Sequence, residues 1–178
     1  MPSQSATTRT VEDRIRAIED RLEILNLIAS HPPSADSGAD YFTRNVYMED
    51  GVIDLGGGKG ASGNEKIAGM VKEPGHQAAI AGGLAHFAGL PRIEIDGDRA
   101  VVTSYLQILT PHPTAEPHEV PNHGVTKGFR IHRVGANKWE LVRTPAGWKI
   151  QRRTLRPLDG TEPAREILRS ALKAYDRG

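Results

Sequence analysis

The stretch Glu140–Arg156, ELVRTPAGWKIQRRTLR, decides how the chain reads. Two runs of alternating polar and apolar residues are joined there by Pro145-Ala146-Gly147. Pro145 pre-sets φ for the first turn position, and Gly147 can take the positive φ of a three-residue hairpin with a bulge. Alternation along the second run puts Trp148 and Ile150 on one face and Lys149, Gln151 and Arg153 on the other. Lys149, Arg152, Arg153 and Arg156 then form a basic stripe without exposed aromatics between the charges, which reads as solvated strand surface rather than a nucleic-acid interface. Arg143 and Arg156 remain as candidate anchors for an anionic substrate group.

Strands dominate upstream of the hairpin as far as His86. Gly124–Val134 and Lys138–Thr144 read as two strands, and Arg92–Ile95 and Ala100–Leu109 flank Asp96-Gly97-Asp98, a strong hairpin signal. Between them Thr110–His123, TPHPTAEPHEVPNH, carries four prolines and reads as a long loop. The N-terminal part is helical. Thr10 caps a helix in which Val11, Ile15, Ile18, Leu22, Leu25 and Ile28 recur at steps of three and four, with Asp13 at the capping-box position. Glu12 and Arg16 can pair on its wet face, and Pro32-Pro33 stops it. A shorter helix follows over Ser37–Tyr47 with Tyr41, Phe42 and Val46 inward. Next come a short strand at Val52–Leu55, the flexible connection GGGKGASG, and a helix from Asn64 that buries Ile67, Met70 and Val71. A last amphipathic helix, Glu162–Tyr175, carries Ile167, Leu168, Ala171, Leu172 and Tyr175 on one stripe. Helices first and antiparallel strands after make an α+β domain. No repeat or linker divides it, so residues 10–178 read as one domain behind a disordered segment 1–9.

Composition narrows the function. With 178 residues the chain can bury a substantial core, and a net charge of +1 supplies no field to gather nucleic acid or an anionic membrane. Zero cysteines exclude disulfides, thiolate catalysis and cysteine zinc sites. No apolar run approaches the roughly 18 residues of a membrane span, and the polar start MPSQSATTRT reads as that of a cytoplasmic protein. GGGKGASG does not fit the phosphate-binding pattern G-x-x-x-x-G-K-[ST]. His112, His118 and His123 share a loop, but their spacing matches no compact metal motif.

Three segments together resemble the SnoaL-like branch of the nuclear-transport-factor-2-like superfamily, which includes scytalone dehydratase, hexachlorocyclohexane dehydrochlorinase and bile-acid 7α-dehydratase. They are the opening helix running through Asp36-Ser37-Gly38-Ala39-Asp40 to Tyr47-Met48-Glu49-Asp50-Gly51; His86-Phe87 with the strand, Asp96-Gly97-Asp98 and Ser104-Tyr105; and the Leu141–Arg153 hairpin. The resemblance implies a cone, a curved antiparallel (mixed) sheet wrapped around a pocket with N-terminal helices on its concave side. It implies a small, largely apolar cyclic ligand, no cofactor, no metal, and a homo-oligomer, dimer or trimer, formed through the convex sheet face. It also implies a lyase in which an aspartate orients a histidine base. The matching positions are Asp36 and His86, fifty residues apart.

Chemistry makes that pair sensible. Imidazole titrates near neutrality and can take a proton at working pH, and a carboxylate on one ring nitrogen fixes its tautomer. Residue types alone leave open a plainer arrangement, with Asp36 capping the next helix and His86 filling a core position. Where relatives carry a tyrosine five residues before the aspartate, this chain has His31, which can donate a hydrogen bond or act as an acid when protonated. Tyr47 and Tyr105 are candidate pocket hydroxyls, and Asn122, His123 and His132 could approach the cavity mouth. Two other functions stay open: an isomerase or cyclase of the ketosteroid isomerase type with Asp36 as base, and a non-catalytic ligand-binding protein. An epoxide hydrolase would need an Asp-Arg-Asp set that has no obvious place here.

Overall fold

The computed structural model describes residues 10–176; the segment 1–9, expected to be disordered, lies outside them. The chain forms helices α1 (Val11–Ala29), α2 (His31–Ser37) and α3 (Asp40–Val46), then a hairpin of β1 (Tyr47–Gly56) and β2 (Lys59–Ser62). Helices α4 (Asn64–Met70) and α5 (Pro74–Ala81) lead to strands β3 (Ala85–Ala88), β4 (Arg92–Asp96) and β5 (Arg99–Pro111). A small hairpin, β6 (His118–Val120) and β7 (Gly124–Thr126), precedes the long strands β8 (Phe129–Thr144) and β9 (Gly147–Pro157). Helix α6 (Glu162–Ser170) and a 3-10 turn at Lys173–Tyr175 follow.

Seven strands make one sheet in the order β2-β1-β9-β8-β5-β3, with β4 on the first half of β5 and β3 on the second. The β1–β9 pair is parallel and the other pairs antiparallel, so the sheet is mixed. It curves without closing into a barrel. Bulges between β5 and β8 and between β8 and β9 locally tighten the twist and help wrap the sheet around the helices. The concave face holds Val102, Trp139, Leu141, Trp148 and Ile150 against Ile24, Leu27 and Ile28 of α1, while α6 covers Ala136 on the opposite face with Ala164 and Ile167.

Several expectations are corrected. The turn at Pro145-Ala146 is followed by Gly147 at φ 98°, paired with Thr144. Further along, Leu141 pairs with Ile150 but Glu140 with Arg152, leaving Gln151 as an extra residue on β9. That bulge reverses the alternation, so Arg153 falls on the same face as Trp148 and Ile150 and is only 4% exposed. The basic stripe therefore does not exist as read. Nor are Arg143 and Arg156 available for a substrate: Arg143 is tied to Asp20 and Asp98, and Arg156 to Asp54.

In α1 the capping box of Thr10 and Asp13 is formed, but the helix presents Asp20, Ile24, Leu27 and Ile28 to the sheet. Val11, Ile15, Ile18, Leu22 and Leu25 face outward. Asp20 is drawn inside because it accepts hydrogen bonds from Arg143 and from Trp148 Nε1. The helix closes at Ser30 before the prolines, which instead occupy the first turn of α2, where a missing N–H costs nothing. The single helix expected at Ser37–Tyr47 is split by Gly38, whose φ of 67° caps α2, and Tyr41 is exposed. The glycine-rich stretch is the β1–β2 turn and strand, α5 went unread, and the proline-rich loop contains the β6–β7 hairpin. Of the two strands expected before Thr144, the first spans β7 and the start of β8 and the second is the rest of the single long β8, and the last helix stops at Ser170 with Leu172 and Tyr175 exposed. No helix among the described residues is long and apolar enough to cross a membrane.

Candidate active site

Between α2, α3, α4, α5 and the concave face lies a cavity of about 250 Å³. Apolar side chains form much of its wall, including Ile53, Ile67, Met70, Leu106, Ile108 and Leu155. Its polar lining includes His31 from α2, His76 from α5, His86 from β3 and Arg153 from β9, together with Glu73 and Arg133.

Asp36 and His86 meet there. Helix α2 lies against β3, and Asp36 one residue before its end spends both oxygens on His86: Oδ2 accepts from the backbone N–H at 2.8 Å, and Oδ1 lies 2.5 Å from ring Nδ1. A carboxylate bound at Nδ1 selects the tautomer with the proton on Nδ1 and leaves Nε2 bearing the lone pair. The imidazole side chain is 10% exposed. Burial pushes its pKa below the ordinary 6.5, against the upward pull of Asp36, with Arg153 and His76 adding to the downward push. His86 is thus neutral at pH 7.

His31 stands at the first position of α2, its ring centroid 6.4 Å from that of His86 and edge-on to Trp139 at 5.1 Å. Burial, assisted by Arg153, holds its pKa well below the usual imidazole range. It can donate or accept a hydrogen bond, but it is no reservoir of protons at neutral pH. His76, which sequence reading passed over with α5, has its ring 6.4 Å from His86, and its Nε2 donates to Ala35 O at 2.8 Å.

Arg153 is the residue that alternation hid. Its guanidinium lies 4.5 Å above the Trp139 ring, and its Nε donates to Asn137 Oδ1 at 3.1 Å. Among the described residues no carboxylate pairs with it, and burial lowers its pKa. A buried cation without an anion is costly, and this one borders the cavity. Tyr47 faces it: burial pushes the phenol up to about 12, and the hydroxyl closes no ordinary hydrogen bond.

Of the residues expected at the site, Asp36, His86, His31 and Tyr47 come together. Three do not. Tyr105 alternates with the inward Ser104 and Leu106, so it lies 48% exposed on the convex face. Asn122 sits in the β6–β7 turn with φ 64°, and exposed His132 falls at the β5–β8 bulge, where its neighbour Arg133 takes the inward place. His123 bonds its own turn through Pro121 O. Among the described residues no cluster of three or more ligating side chains is disposed to hold a metal.

The model of the SnoaL-like domain matches residues 16–154. The chain belongs to the SnoaL-like family. An NTF2-like protein with a cystatin-like fold from Novosphingobium aromaticivorans is 34% identical, the match covering 90% of this chain and 98% of that one with a TM-score of 0.78. A second protein from that organism, provisionally named a scytalone dehydratase, is 16% identical over 81% of this chain and 87% of its own, TM-score 0.60. A protein of unknown function from Mycobacterium tuberculosis is 17% identical over 97% and 96%, TM-score 0.65. These last two share the fold. No curated protein sequence matches significantly. SnoaL-like domains bind small molecules, and their members are often cofactor-independent isomerases or dehydratases.

Proposed function

We propose that this protein is a cofactor-independent lyase that removes water, or another small leaving group, from a small and largely apolar cyclic substrate. The observation that carries the reading is the Asp36–His86 pair, in which both carboxylate oxygens are committed to one imidazole and Nε2 remains for the substrate.

In this mechanism Nε2 of His86 takes a proton from the carbon beside a substrate carbonyl. The electron pair moves onto the carbonyl oxygen, and the positive charge arising on the ring is met by Asp36. Arg153 stabilises the oxyanion; a preformed donor of this kind is worth roughly 10²–10³-fold in rate, and the base itself roughly 10²–10⁴-fold. The enolate then re-forms its carbonyl and expels the β-substituent. The proton held on Nε2 leaves with it, so hydroxide departs as water and His86 is returned neutral. His31, kept neutral by burial, orients the leaving oxygen by a hydrogen bond. The apolar wall desolvates base and substrate together.

The isomerase reading with Asp36 as base fits the geometry less well, since neither Asp36 oxygen is left unengaged. A scaffold role fits less well too, because an open cavity lined by a buried, unpaired cation is expensive to keep without a ligand. The test is a screen of cyclic β-hydroxy ketones for elimination by wild type, His86→Ala and Asp36→Asn. Turnover abolished by His86→Ala, with the far-ultraviolet circular dichroism retained, supports the lyase. Turnover unchanged in His86→Ala contradicts it, and Asp36→Asn proving far the more damaging transfers the base to Asp36.

A further inference from the structure

The outward face of α1 is not a random scatter of apolar residues. Val11, Ile15, Ile18, Leu22 and Leu25 follow one another at intervals of four, three, four and three, and Ala29 continues the series. This is an unbroken a/d heptad pattern, with Val11, Ile18 and Leu25 at d and Ile15, Leu22 and Ala29 at a. All of them are exposed, Val11 63% and Ile18 58%. The helix's attachment to its own sheet runs through the opposite side, at Asp20, Ile24, Leu27 and Ile28. A surface helix ordinarily carries one apolar stripe; α1 carries two, and among the described residues only one is packed within the monomer.

The charges flanking the stripe say what covers the other. In this register Glu12 and Glu19 occupy e positions, and Arg14 and Arg21 occupy g positions. In a parallel pair each g residue faces the e residue five places on in the partner helix. Arg14 then meets Glu19 of a second copy, twice by symmetry. In an antiparallel pair e faces e and g faces g, which sets glutamate against glutamate and arginine against arginine. Arg21 is engaged with the Ile93 carbonyl at 3.0 Å, so Arg14 is the g residue left for this purpose.

We propose that α1 pairs with α1 of a second copy of this chain as a short parallel coiled coil about a two-fold axis. The helix has 19 residues and is about 28 Å long, too short to associate as an isolated peptide. Here it is already folded and held by its inner face, so association does not bear the cost of helix nucleation. The arrangement leaves the cavity untouched and is independent of the catalytic reading.

Sedimentation equilibrium on the full chain tests it, with two kinds of variant that touch no core residue. Ile18→Glu buries two carboxylates at the axis and is expected to weaken dimerisation at least about hundredfold. Arg14→Glu weakens it by roughly fivefold or more, and adding Glu19→Arg to that variant restores it. Because the chain contains no cysteine, Val11→Cys alone reports orientation. Oxidation links the two copies in a parallel pair, whereas an antiparallel pair holds these positions about 16 Å apart or more, beyond disulfide reach. A monomeric wild type overturns the proposal. So does a dimer or trimer that survives Ile18→Glu but is broken by Ile131→Asp on the convex sheet face, or a failure of Val11→Cys to cross-link.

Discussion

Two arginines stack on two tryptophans at the same distance, and their surroundings make them opposites. Arg143 lies 4.5 Å over Trp148, and Arg153 lies 4.5 Å over Trp139. Arg143 is clamped by both oxygens of Asp20, at 2.5 and 2.6 Å, and by Asp98 at 2.9 Å, which raises its pKa. Arg153 donates to the amide oxygen of Asn137 and lies beside the Tyr47 hydroxyl, and burial lowers its pKa. The first fastens α1 to the closing hairpin, with each of its three nitrogens bonded to a carboxylate. The second is more deeply buried, meets no carboxylate among the described residues, and faces the cavity beside His86. The lesson is that the stack does not distinguish scaffold from site; the missing carboxylate does.

The largest expected effect is on the site side. His86→Ala lowers elimination by roughly 10²–10⁴-fold in steady-state turnover, with a melting temperature near that of wild type. Arg153→Met lowers turnover by roughly 10²–10³-fold while stability stays level or rises, because a buried unpaired cation is replaced by an apolar chain of similar length. Thermal unfolding run beside the assay checks both, and an Arg153→Met variant that is strongly destabilised would move Arg153 to the scaffold.

The scaffold side should respond in the reverse sense. Asp20→Ala leaves Arg143 with Asp98 alone and strips Trp148 Nε1 of its acceptor, costing about 2–4 kcal/mol by urea denaturation. The upper end of the range for broken buried pairs is not reached, because Arg143 keeps partial access to solvent.

Acid provides a gentler comparison. His31 and His86 are both held below the 6.5 of an unfolded imidazole. As pH falls from that value the unfolded chain takes up protons that the folded one refuses, so stability is greatest above about pH 6.5 and falls below it, by up to about 1.4 kcal/mol per pH unit for each histidine. Asp20, whose pKa is lowered from 3.8, contributes a separate loss only in stronger acid. Urea unfolding at pH 7.5 and 5.5 should show the first loss, and His31→Asn should reduce it. Smallest is Thr10→Ala, which removes the N-terminal cap of α1 for about 1 kcal/mol and leaves turnover alone.

How much of this was legible in the sequence follows from which physics is periodic. The Trp148–Ile150 pairing, the Asp96-Gly97-Asp98 turn and the Thr10 cap are local signals, and each appears in the structure where local rules put it. The juxtaposition of Asp36 with His86 is not local and came only from resemblance. Arg153 was misplaced because one extra residue, Gln151, reverses every later side chain on β9, and a bulge leaves no mark on alternation. Tyr105 was misjudged for a simpler reason: its neighbours Ser104 and Leu106 take the inward places on β5. On α1 the helical period was read correctly but assigned to the core, since nothing in the spacing reveals that Asp20 would be carried inside by Arg143. His76 escaped because α5 is short, begins at a proline and shows no clear apolar face.

The most direct test makes Arg153 resemble Arg143. Asn137→Asp is nearly isosteric, places a carboxylate where the amide oxygen now accepts from Arg153, and removes the amide nitrogen that finds no partner. If Arg153 is the cation reserved for the substrate oxyanion, turnover falls by roughly tenfold to a hundredfold while the melting temperature is held or raised. Full turnover with Asp at position 137 would contradict that role and return both arginines to the same structural class.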